Sequence, residues 1–256
     1  GGTGQVGEEF RALPVPKDIE VVAPSRAILD LEYPLSIARL IAARPWSAVI
    51  NAAAYTEVDR AESEQAAAFA INAEAPSQLA AETASRGIPL IHISTDYVFD
   101  GRKGSPYVEE DETAPINAYG RSKLAGERAV SAANPRHVIL RTSWVYSAHR
   151  RNFVRTILRL AAELDHLNVV ADQRGCPTSA RDIAQACLEI ALSCASAPES
   201  APYGTYHFAG AGDATWFELA GAIVDLAAGR LDKNPQVLPI RTVDYPTPAL
   251  RAADTR

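Results

Sequence analysis

The chain has 256 residues, of which 47% are hydrophobic and 22% are charged, and its formal net charge is −6. This acidic balance, without any block of like charges, argues against a nucleic-acid or membrane-surface partner, and no apolar run reaches the roughly 18 residues of a membrane span. The length suits one large α/β domain with a smaller lobe.

The three cysteines indicate a reducing environment. Cys176, Cys187 and Cys194 are odd in number and lack both Cys-x-x-Cys spacing and a nearby histidine cluster, so we expect no zinc site. Cys187 and Cys194 lie two turns apart on one predicted helix, about 10 Å along its axis, which is too far for a disulfide. Reduced cysteines are typical of a cytoplasmic protein.

A glycine-rich turn opens the chain. Gly1, Gly4 and Gly7 recur at every third position before a predicted helix that begins near Glu8. Glycines let a backbone turn approach a pyrophosphate, and a helix N-terminus favours that anion. Taken alone, the turn would also suit an ordinary loop. No strand precedes it and the chain contains no methionine, so we expect the natural start, with the first strand, to lie upstream.

The second predicted strand covers residues 19–23 and bears on the choice of cofactor. It does not end in the acidic residue that binds a ribose 2′-hydroxyl in NAD sites. Arg26 follows instead and could accept the 2′-phosphate of NADP, which favours NADPH and leaves NADH as the alternative. A solvated surface arginine is an equally good interpretation of Arg26.

Strands and helices alternate through the rest of the N-terminal half. The predicted elements are a helix over 35–43, a strand over 47–54, a helix over 65–86 with Pro76 inside it, a strand over 89–93, a helix over 119–133 and a strand over 138–142. This alternation predicts βαβ units and a parallel sheet. Asn72 falls within the alanine-rich helix, where it faces either the nicotinamide side or solvent.

Beyond Tyr146 the alternation loosens. The predicted elements are a helix over 152–163, a strand over 167–171, a helix over 181–192, a strand over 203–209 and a helix from 215, followed by an irregular segment over 239–256. We therefore predict an α/β fold with a Rossmann-type doubly wound parallel sheet over 1–144. A smaller C-terminal substrate lobe would cover 145–256, with about 165–194 partly returning to the sheet.

Three residues near the middle of the chain suit proton transfer. Thr95 ends a predicted strand, where ligands of parallel sheets bind. Tyr119 and Lys123 are four positions apart on one helix and share a face. An ammonium near a phenol stabilises the phenolate and lowers its pKa, so Tyr119 could protonate a developing alkoxide while Thr95 holds the carbonyl oxygen. Each residue alone has an ordinary structural interpretation, but the set together indicates carbonyl reduction with a nicotinamide cofactor.

These motifs resemble the extended branch of the short-chain dehydrogenase/reductase superfamily and, within it, the dTDP-4-dehydrorhamnose reductase family. The resemblance covers essentially the whole chain, and the most specific motifs are Ser-Thr-Asp-Tyr-Val-Phe and Tyr-Gly-x-x-Lys-x-x-Gly-Glu. The stretches that carry it are Gly4–Gly7, Asn51–Glu62, Ser94–Phe99, Tyr119–Glu127, Arg141–Tyr146 and Tyr245–Pro248.

The resemblance implies NADPH-dependent reduction of the C4 ketone of dTDP-4-dehydro-L-rhamnose, with Tyr119 as the general acid. It implies that Lys123 binds the nicotinamide ribose and tunes Tyr119, and that Thr95 orients the keto oxygen. The residues it implies for the dinucleotide are Gly1, Gly4, Gln5, Val6, Gly7, Arg26, Asp30, Leu31, Ala52, Ala53, Ala54, Tyr55, Asn72, Tyr119 and Lys123. Those for the dTDP-sugar are Thr95, Asp96, Trp144 and Arg251.

Tyr97 separates this chain from the dehydratases of the superfamily, which carry Asp-Glu after the threonine. Here Asp96 is followed by Tyr97, so the base for water elimination is absent. Some related enzymes are Mg²⁺-linked dimers through glutamates. Glu9 fits one such position, but Arg181 stands where another acid is expected, so we expect no metal, and a homodimer is left open.

Two other functions remain open at this point. The chain could reduce a different 4-keto-6-deoxy sugar nucleotide, since one side chain in the pocket can change the choice of sugar. It could also be a non-catalytic regulatory subunit of the methionine adenosyltransferase type, because such relatives keep the cofactor fold.

Overall fold

The computed structural model describes residues 1–231 and 233–256. The helices are α1 (Gln5–Ala12), α2 (Pro34–Ala42), α3 (Val58–Ala61), α4 (Gln65–Phe69), α5 (Ala75–Ala84), α6 (Ala118–Ala133), α7 (Phe153–Glu163), α8 (Ala180–Ser196) and α9 (Trp216–Ala227), with a π-helical turn at Ala70–Glu74 and 3₁₀ turns at Asp96–Val98 and Thr242–Asp244. The strands are β1 (Val49–Asn51), β2 (Leu90–Thr95), β3 (His137–Thr142), β4 (Val145–Tyr146), β5 (His166–Val170), β6 (Arg174–Gly175), β7 (Thr178–Ser179), β8 (Gly204–His207), β9 (Ala214–Thr215) and β10 (Gln236–Ile240).

Four parallel strands form the main sheet in the order β1-β2-β3-β8. Apolar side chains cover both faces, as a parallel sheet requires. The cluster on one face joins the sheet to α1 and α8 and includes Val6, Phe10, Ile91, Val138, Leu140, Ile183 and Cys187. The cluster on the other face joins it to α2, α5 and α6 and includes Ile37, Leu79, Leu90, Val130 and Ile139. Helices on both faces confirm the predicted α/β, doubly wound class.

A second layer of structure follows β4. Strand β5 pairs in parallel with β10 in a separate two-stranded sheet, and α7 and α9 pack on it. The segment predicted to return to the main sheet, residues 165–194, is therefore divided: α8 packs on that sheet, whereas β5 does not join it. Conversely, β8 comes from the C-terminal half and completes the main sheet beside β3.

Two strand predictions are corrected. Residues 19–23 form no strand. A strand needs a hydrogen-bonded neighbour, but the residues that lie between this segment and the chain after β1 are Gly1 and Gly2, which are not in a strand. A Cβ on Gly2 would be 2.9 Å from the Cβ of Ala23, and one on Gly1 would be 2.3 Å from the backbone of Ala52. The segment over 239–256 is predicted to be irregular, but its first two residues, Pro239 and Ile240, end strand β10, which pairs along one edge with β5.

The alanine-rich helix is interrupted just before Pro76. A proline has no N–H, and the carbonyl that this residue would bond in an α-helix belongs to Asn72. The chain forms a π-helical turn over Ala70–Glu74 at this point. The Asn72 carbonyl lies against Gly126 of α6, where a Cβ would be only 2.0 Å from the oxygen. Glycine at 126 therefore lets α6 approach the interrupted helix. Among the described residues, no helix is both long and apolar enough to cross a bilayer.

Gly126→Ala is expected to destabilise the protein by about 1–3 kcal/mol, because the new methyl group overpacks the contact with Asn72. Gly221→Ala is the matched control in a helix, since nothing lies within 4 Å of its added Cβ. That change should stabilise α9 by up to about 1 kcal/mol. Thermal unfolding measures both, with roughly 2–4 °C in Tm for each kcal/mol at this chain length. Equal effects of the two changes would refute a steric limit at Gly126.

Candidate active site

A cavity of about 730 Å³ opens where the strands of the main sheet end. The residues that directly follow β1, β2 and β3 line its centre, as expected for ligand sites of open parallel sheets. The glycine turn lines one end, and Thr95, Tyr119 and Lys123 line the other. Its size lies in the range of small-molecule and cofactor sites.

The glycine turn is built by close backbone contacts. The Gly4 N–H donates to the Gly1 carbonyl at 2.9 Å, and Gly4 is the N-cap of α1. Gly7 does not line the cavity, but a Cβ there would be 2.3 Å from the Gly1 oxygen, so it allows the turn to close. Gly1, Gly4, Gln5 and Val6 line the cavity with the N-terminus of α1, an arrangement that suits a diphosphate.

Arg26, Asp30 and Leu31 also line the cavity. The Arg26 side chain is 73% exposed and forms ion pairs with Asp30, at 3.3 Å, and with Glu32. Arg26 is therefore an exposed arginine that lines the cavity and is paired with two carboxylates.

The segment Ala52–Ala54 lines the cavity next to the turn, and polar side chains behind it hold it in place. The Asn51 carboxamide accepts the Ala53 N–H at 3.1 Å, and its nitrogen lies 3.0 Å from Nδ1 of His92. His92 is fully buried, which lowers its pKa well below the ordinary value, with the Lys123 charge acting in the same direction. A neutral His92 can accept the Asn51 hydrogen bond at Nδ1.

Asn72 and Tyr55 do not line the cavity, contrary to the expectation that both contact the dinucleotide. The Asn72 side chain is fully buried, accepts the Tyr55 N–H at 2.8 Å, and donates to the Tyr55 carbonyl at 3.1 Å and to Ser122 Oγ at 2.9 Å. The Tyr55 hydroxyl donates to Glu64 at 2.6 Å. Asn72 lies in the π-helical turn, and its side chain faces neither the nicotinamide side of the cavity nor solvent. It links the segment at Tyr55 to Ser122 of α6.

Thr95, Tyr119 and Lys123 converge at the other end of the cavity. Thr95 is the last residue of β2, and α6 carries Tyr119 and Lys123 one turn apart. Lys123 is 1% exposed, and its ammonium donates to the Ile93 carbonyl at 2.7 Å. The ring of Tyr97 meets that of Tyr119 edge-on, with centroids 5.5 Å apart.

Burial, rather than the lysine, controls the Tyr119 phenol. Burial raises the pKa of Tyr119 above its ordinary value, and the Thr95 hydroxyl beside it acts in the opposite direction. Burial likewise lowers the pKa of Lys123 to about 8, against the opposing charge of Glu127. The expected lowering of the Tyr119 pKa is outweighed in the unliganded site, because burial acts more strongly in the opposite direction. Tyr119 is a protonated phenol at neutral pH, as a proton donor must be.

Asp96 lies directly after Thr95 and is 7% exposed. Burial raises the pKa of its carboxyl group to about 6, although hydrogen bonds from Thr255 and Thr95 act to lower it. The Thr95 hydroxyl donates to Oδ1 at 3.0 Å, and the Thr255 hydroxyl donates to Oδ2 at 2.6 Å. Asp96 therefore faces the cavity with both of its oxygens already bonded to the protein.

Trp144 separates the main cavity from a smaller adjoining one, which Arg251 also lines. Its backbone has a φ of 46°, a strained value for a residue with a side chain, and its ring stacks on Trp216 with centroids 3.4 Å apart. The Arg251 guanidinium donates to Asp59 at 3.0 Å and to the Ala249 carbonyl at 2.7 Å. Trp144 and Arg251 thus lie on the side expected to hold the sugar nucleotide, with Arg251 paired to the protein.

The loop after β4 contributes two arginines that the sequence analysis did not single out. Arg150 and Arg151 both line the cavity. Arg150 has a φ of 59° and donates to Glu8 at 2.6 Å, while Asn152 donates to Gln5 at 2.9 Å, which docks the loop on α1. Their position shortly after a strand near the carboxyl edge of the sheet was the available signal. In the described part of the chain no group of three or more metal-ligating side chains is arranged around a common point.

The glycine turn, the alanine-lined wall and the partly buried Tyr119 fit a nicotinamide dinucleotide followed by a carbonyl substrate. The family model described as RmlD substrate binding domain matches residues 1–256. The dTDP-4-dehydrorhamnose reductase of Sinorhizobium fredii is 46% identical over 256 residues, which are 100% of this chain and 86% of that protein. A Streptomyces antibioticus protein described as a probable dTDP-4,6-dihydroxy-2-methyloxan-3-one 4-ketoreductase is 38% identical over 99% of this chain and 83% of its own length.

The fold comparison agrees with these relatives. The crystal structure of dTDP-4-dehydrorhamnose reductase from Bacillus anthracis in complex with NADP is 34% identical, matches with a TM-score of 0.92, and covers 100% of this chain and 87% of that one. The resemblance inferred from the motifs is thereby confirmed, and the chain belongs to the dTDP-4-dehydrorhamnose reductase family of the extended short-chain dehydrogenase/reductase superfamily.

Proposed function

We propose that this protein catalyses the NADPH-dependent reduction of the C4 ketone of dTDP-4-dehydro-L-rhamnose, the step that yields dTDP-L-rhamnose. The observation that carries the proposal is the partly buried, protonated phenol of Tyr119 beside Thr95 in a dinucleotide-sized cavity. Relatives named for this activity match the whole chain, which supports the same assignment.

The residues present fit a nicotinamide dinucleotide. The N-terminus of α1 with Gly1 and Gly4 would hold its diphosphate, and the backbone of Ala52–Ala54 would lie along it. Lys123 uses one ammonium proton on the Ile93 carbonyl, so its other protons are available to a ribose hydroxyl. When bound, the reduced cofactor supplies the hydride for the carbonyl carbon.

Tyr119 supplies the proton that completes the reduction. Its phenol gives the proton to the ketone oxygen as negative charge develops there, which turns the ketone into a hydroxyl group. Burial opposes formation of the phenolate, so a positive charge nearby is needed at that moment. Lys123, on the same face of α6, carries that charge while it is protonated.

We expect the choice of sugar to depend on the residues that line the smaller cavity beyond Trp144. Tyr97 stands where a dehydratase has glutamate, so the site supports reduction without elimination. The Streptomyces relative is described by a different sugar, and a related 4-keto sugar nucleotide is therefore the second candidate substrate. Assays with both ketones would decide between them.

The remaining assignments form part of the same proposal. Arg26 would accept the 2′-phosphate of NADPH at the rim of the cavity, after exchanging Asp30 or Glu32 for the ligand. The three free cysteines suit the reducing cytoplasm.

Tyr119→Phe is expected to lower kcat by about 10²–10⁴-fold, because the general acid is lost. NADPH affinity should change little, since the ring is retained. The assay follows NADPH oxidation in the presence of dTDP-4-dehydro-L-rhamnose, with binding measured separately by fluorescence. Tyr206→Phe is the control, because that hydroxyl lies on the surface and bonds only the Pro202 carbonyl. Unchanged turnover in Tyr119→Phe, or no turnover by the unmodified enzyme, would refute the proposal.

Arg26→Ala is expected to lower kcat/KM for NADPH about tenfold while leaving that for NADH nearly unchanged, because only NADPH carries the 2′-phosphate. Arg44→Ala is the matched control: this arginine is also exposed and paired with a glutamate, Glu20, but does not line the cavity. Equal losses of kcat/KM for NADPH and NADH would show that Arg26 does not bind the 2′-phosphate.

NADPH affinity is expected to weaken as the pH rises through about 8, the pKa to which burial lowers Lys123. The sign follows because the ammonium, which binds the ribose, is present below this pKa and is lost above it. Titration of NADPH binding across this range measures the effect. Lys123→Met removes the titrating group, so its weaker binding should be independent of pH; a matching pH dependence in this variant would assign the transition to another group.

A further inference from the structure

The Asp96 carboxylate connects the reaction site to the C-terminal segment. Its Oδ1 accepts a hydrogen bond from Thr95, the preceding residue, and its Oδ2 accepts one from Thr255, 159 positions later. Thr255 lies in the irregular segment for which the sequence predicted only Arg251 as a ligand. Because each carboxylate oxygen is bonded by a separate hydroxyl, the plane of the carboxylate is fixed.

The fixed carboxylate in turn fixes the Thr95 hydroxyl. A threonine hydroxyl has one proton and two lone pairs. Thr95 gives its proton to Asp96 and accepts the Tyr97 N–H at 3.2 Å. One lone pair is left, and the Tyr119 phenol is a neighbour of this hydroxyl, which acts on the Tyr119 pKa. The direction of this hydroxyl therefore depends on where the Asp96 carboxylate stands.

We propose that Thr255 is a positioning residue for the reductase reaction, which acts through the Asp96 carboxylate to fix the Thr95 hydroxyl beside Tyr119. This inference rests on the proposed function. It also gives Asp96 a different part from the expected one: with both oxygens bonded to threonines, Asp96 orients Thr95 rather than binding the sugar.

The backbone around Thr255 is held firmly enough for this task. The Thr255 N–H donates to the Arg174 carbonyl at 3.1 Å, and the Arg174 N–H donates to the Ala253 carbonyl at 2.8 Å. On the other side, Gly101 has a φ of 74°, and a Cβ there would be 2.7 Å from the Cβ of Ala252. The segment is thus docked between strand β6 and the loop that follows Asp96.

Thr255→Val tests the proposal because valine keeps the shape of threonine and removes the hydroxyl. We expect kcat to fall about tenfold, since small errors in the placement of reacting groups cost large factors, while KM for NADPH stays unchanged. Thr255→Ser, which restores a hydroxyl, should recover most of the loss. Unchanged kcat in Thr255→Val, or no recovery with serine, would overturn the proposal.

Thr247→Val is the control for a general disturbance of the segment, because the Thr247 hydroxyl bonds only the nearby Ala249 carbonyl. Its kcat should equal that of the unmodified enzyme, and an equal loss in both variants would overturn the proposal. Asp96→Asn extends the test to a double-mutant cycle. If Thr255 acts through Asp96, Thr255→Val should cost little more in the Asp96→Asn background, whereas fully additive losses would count against it.

A readout that does not need turnover separates this inference from the proposed function. The Thr255 hydrogen bond acts to lower the Asp96 pKa, so Thr255→Val should raise it above the value of the unmodified protein, and Thr255→Ser should restore it. Carboxyl ¹³C NMR titration of the full chain measures this. If the unmodified protein fails to reduce the ketone, the proposed function is refuted. An unshifted Asp96 titration in Thr255→Val overturns the coupling itself.

Discussion

The close approach of α6 to the interrupted helix at Asn72 determines where the reactive groups stand. Gly126 has no side chain, so the helix axis comes near the Asn72 carbonyl that Pro76 leaves without its helical donor. The Asn72 amide then binds Ser122, one residue before Lys123. A larger residue at 126 would push α6 away from the interrupted helix, and with it Tyr119 and Lys123.

Burial at this contact sets the acid–base behaviour of the site. Lys123 is enclosed between α6 and β2, and desolvation outweighs the nearby Glu127 charge, so its pKa falls. Glu127 itself is committed to the buried Arg141 at 2.8 Å and to Ser94. Because Glu127 is paired with Arg141, its charge stabilises the Lys123 ammonium only partly. The protein thereby keeps a phenol protonated and an ammonium near its titration range in the same pocket.

The reactive core could be predicted from the sequence, because the patterns that encode it are local. Thr95 follows a continuous apolar strand, and Tyr119 and Lys123 are one helical turn apart, so their convergence follows from secondary structure and the parallel sheet. The partners of Asn72 and Arg251 could not be predicted, since each lies on a distant element. The same holds for the Lys123 ammonium: helical spacing places it beside Tyr119, but only the packed structure shows that it bonds the Ile93 carbonyl.

The wall on the sugar side comes from segments far apart in the sequence. The Asn117 side chain caps α6 by accepting the Gly120 N–H at 2.8 Å, and its nitrogen donates to the Leu250 carbonyl at 2.9 Å. The helix that carries Tyr119 is thus tied at its first turn to the C-terminal segment, which also pairs Arg251 with Asp59. Trp144, which has a strained φ and stacks on Trp216, completes this wall. None of these residues is the proton donor of the proposed reaction, so a change in this wall would leave Thr95, Tyr119 and Lys123 in place.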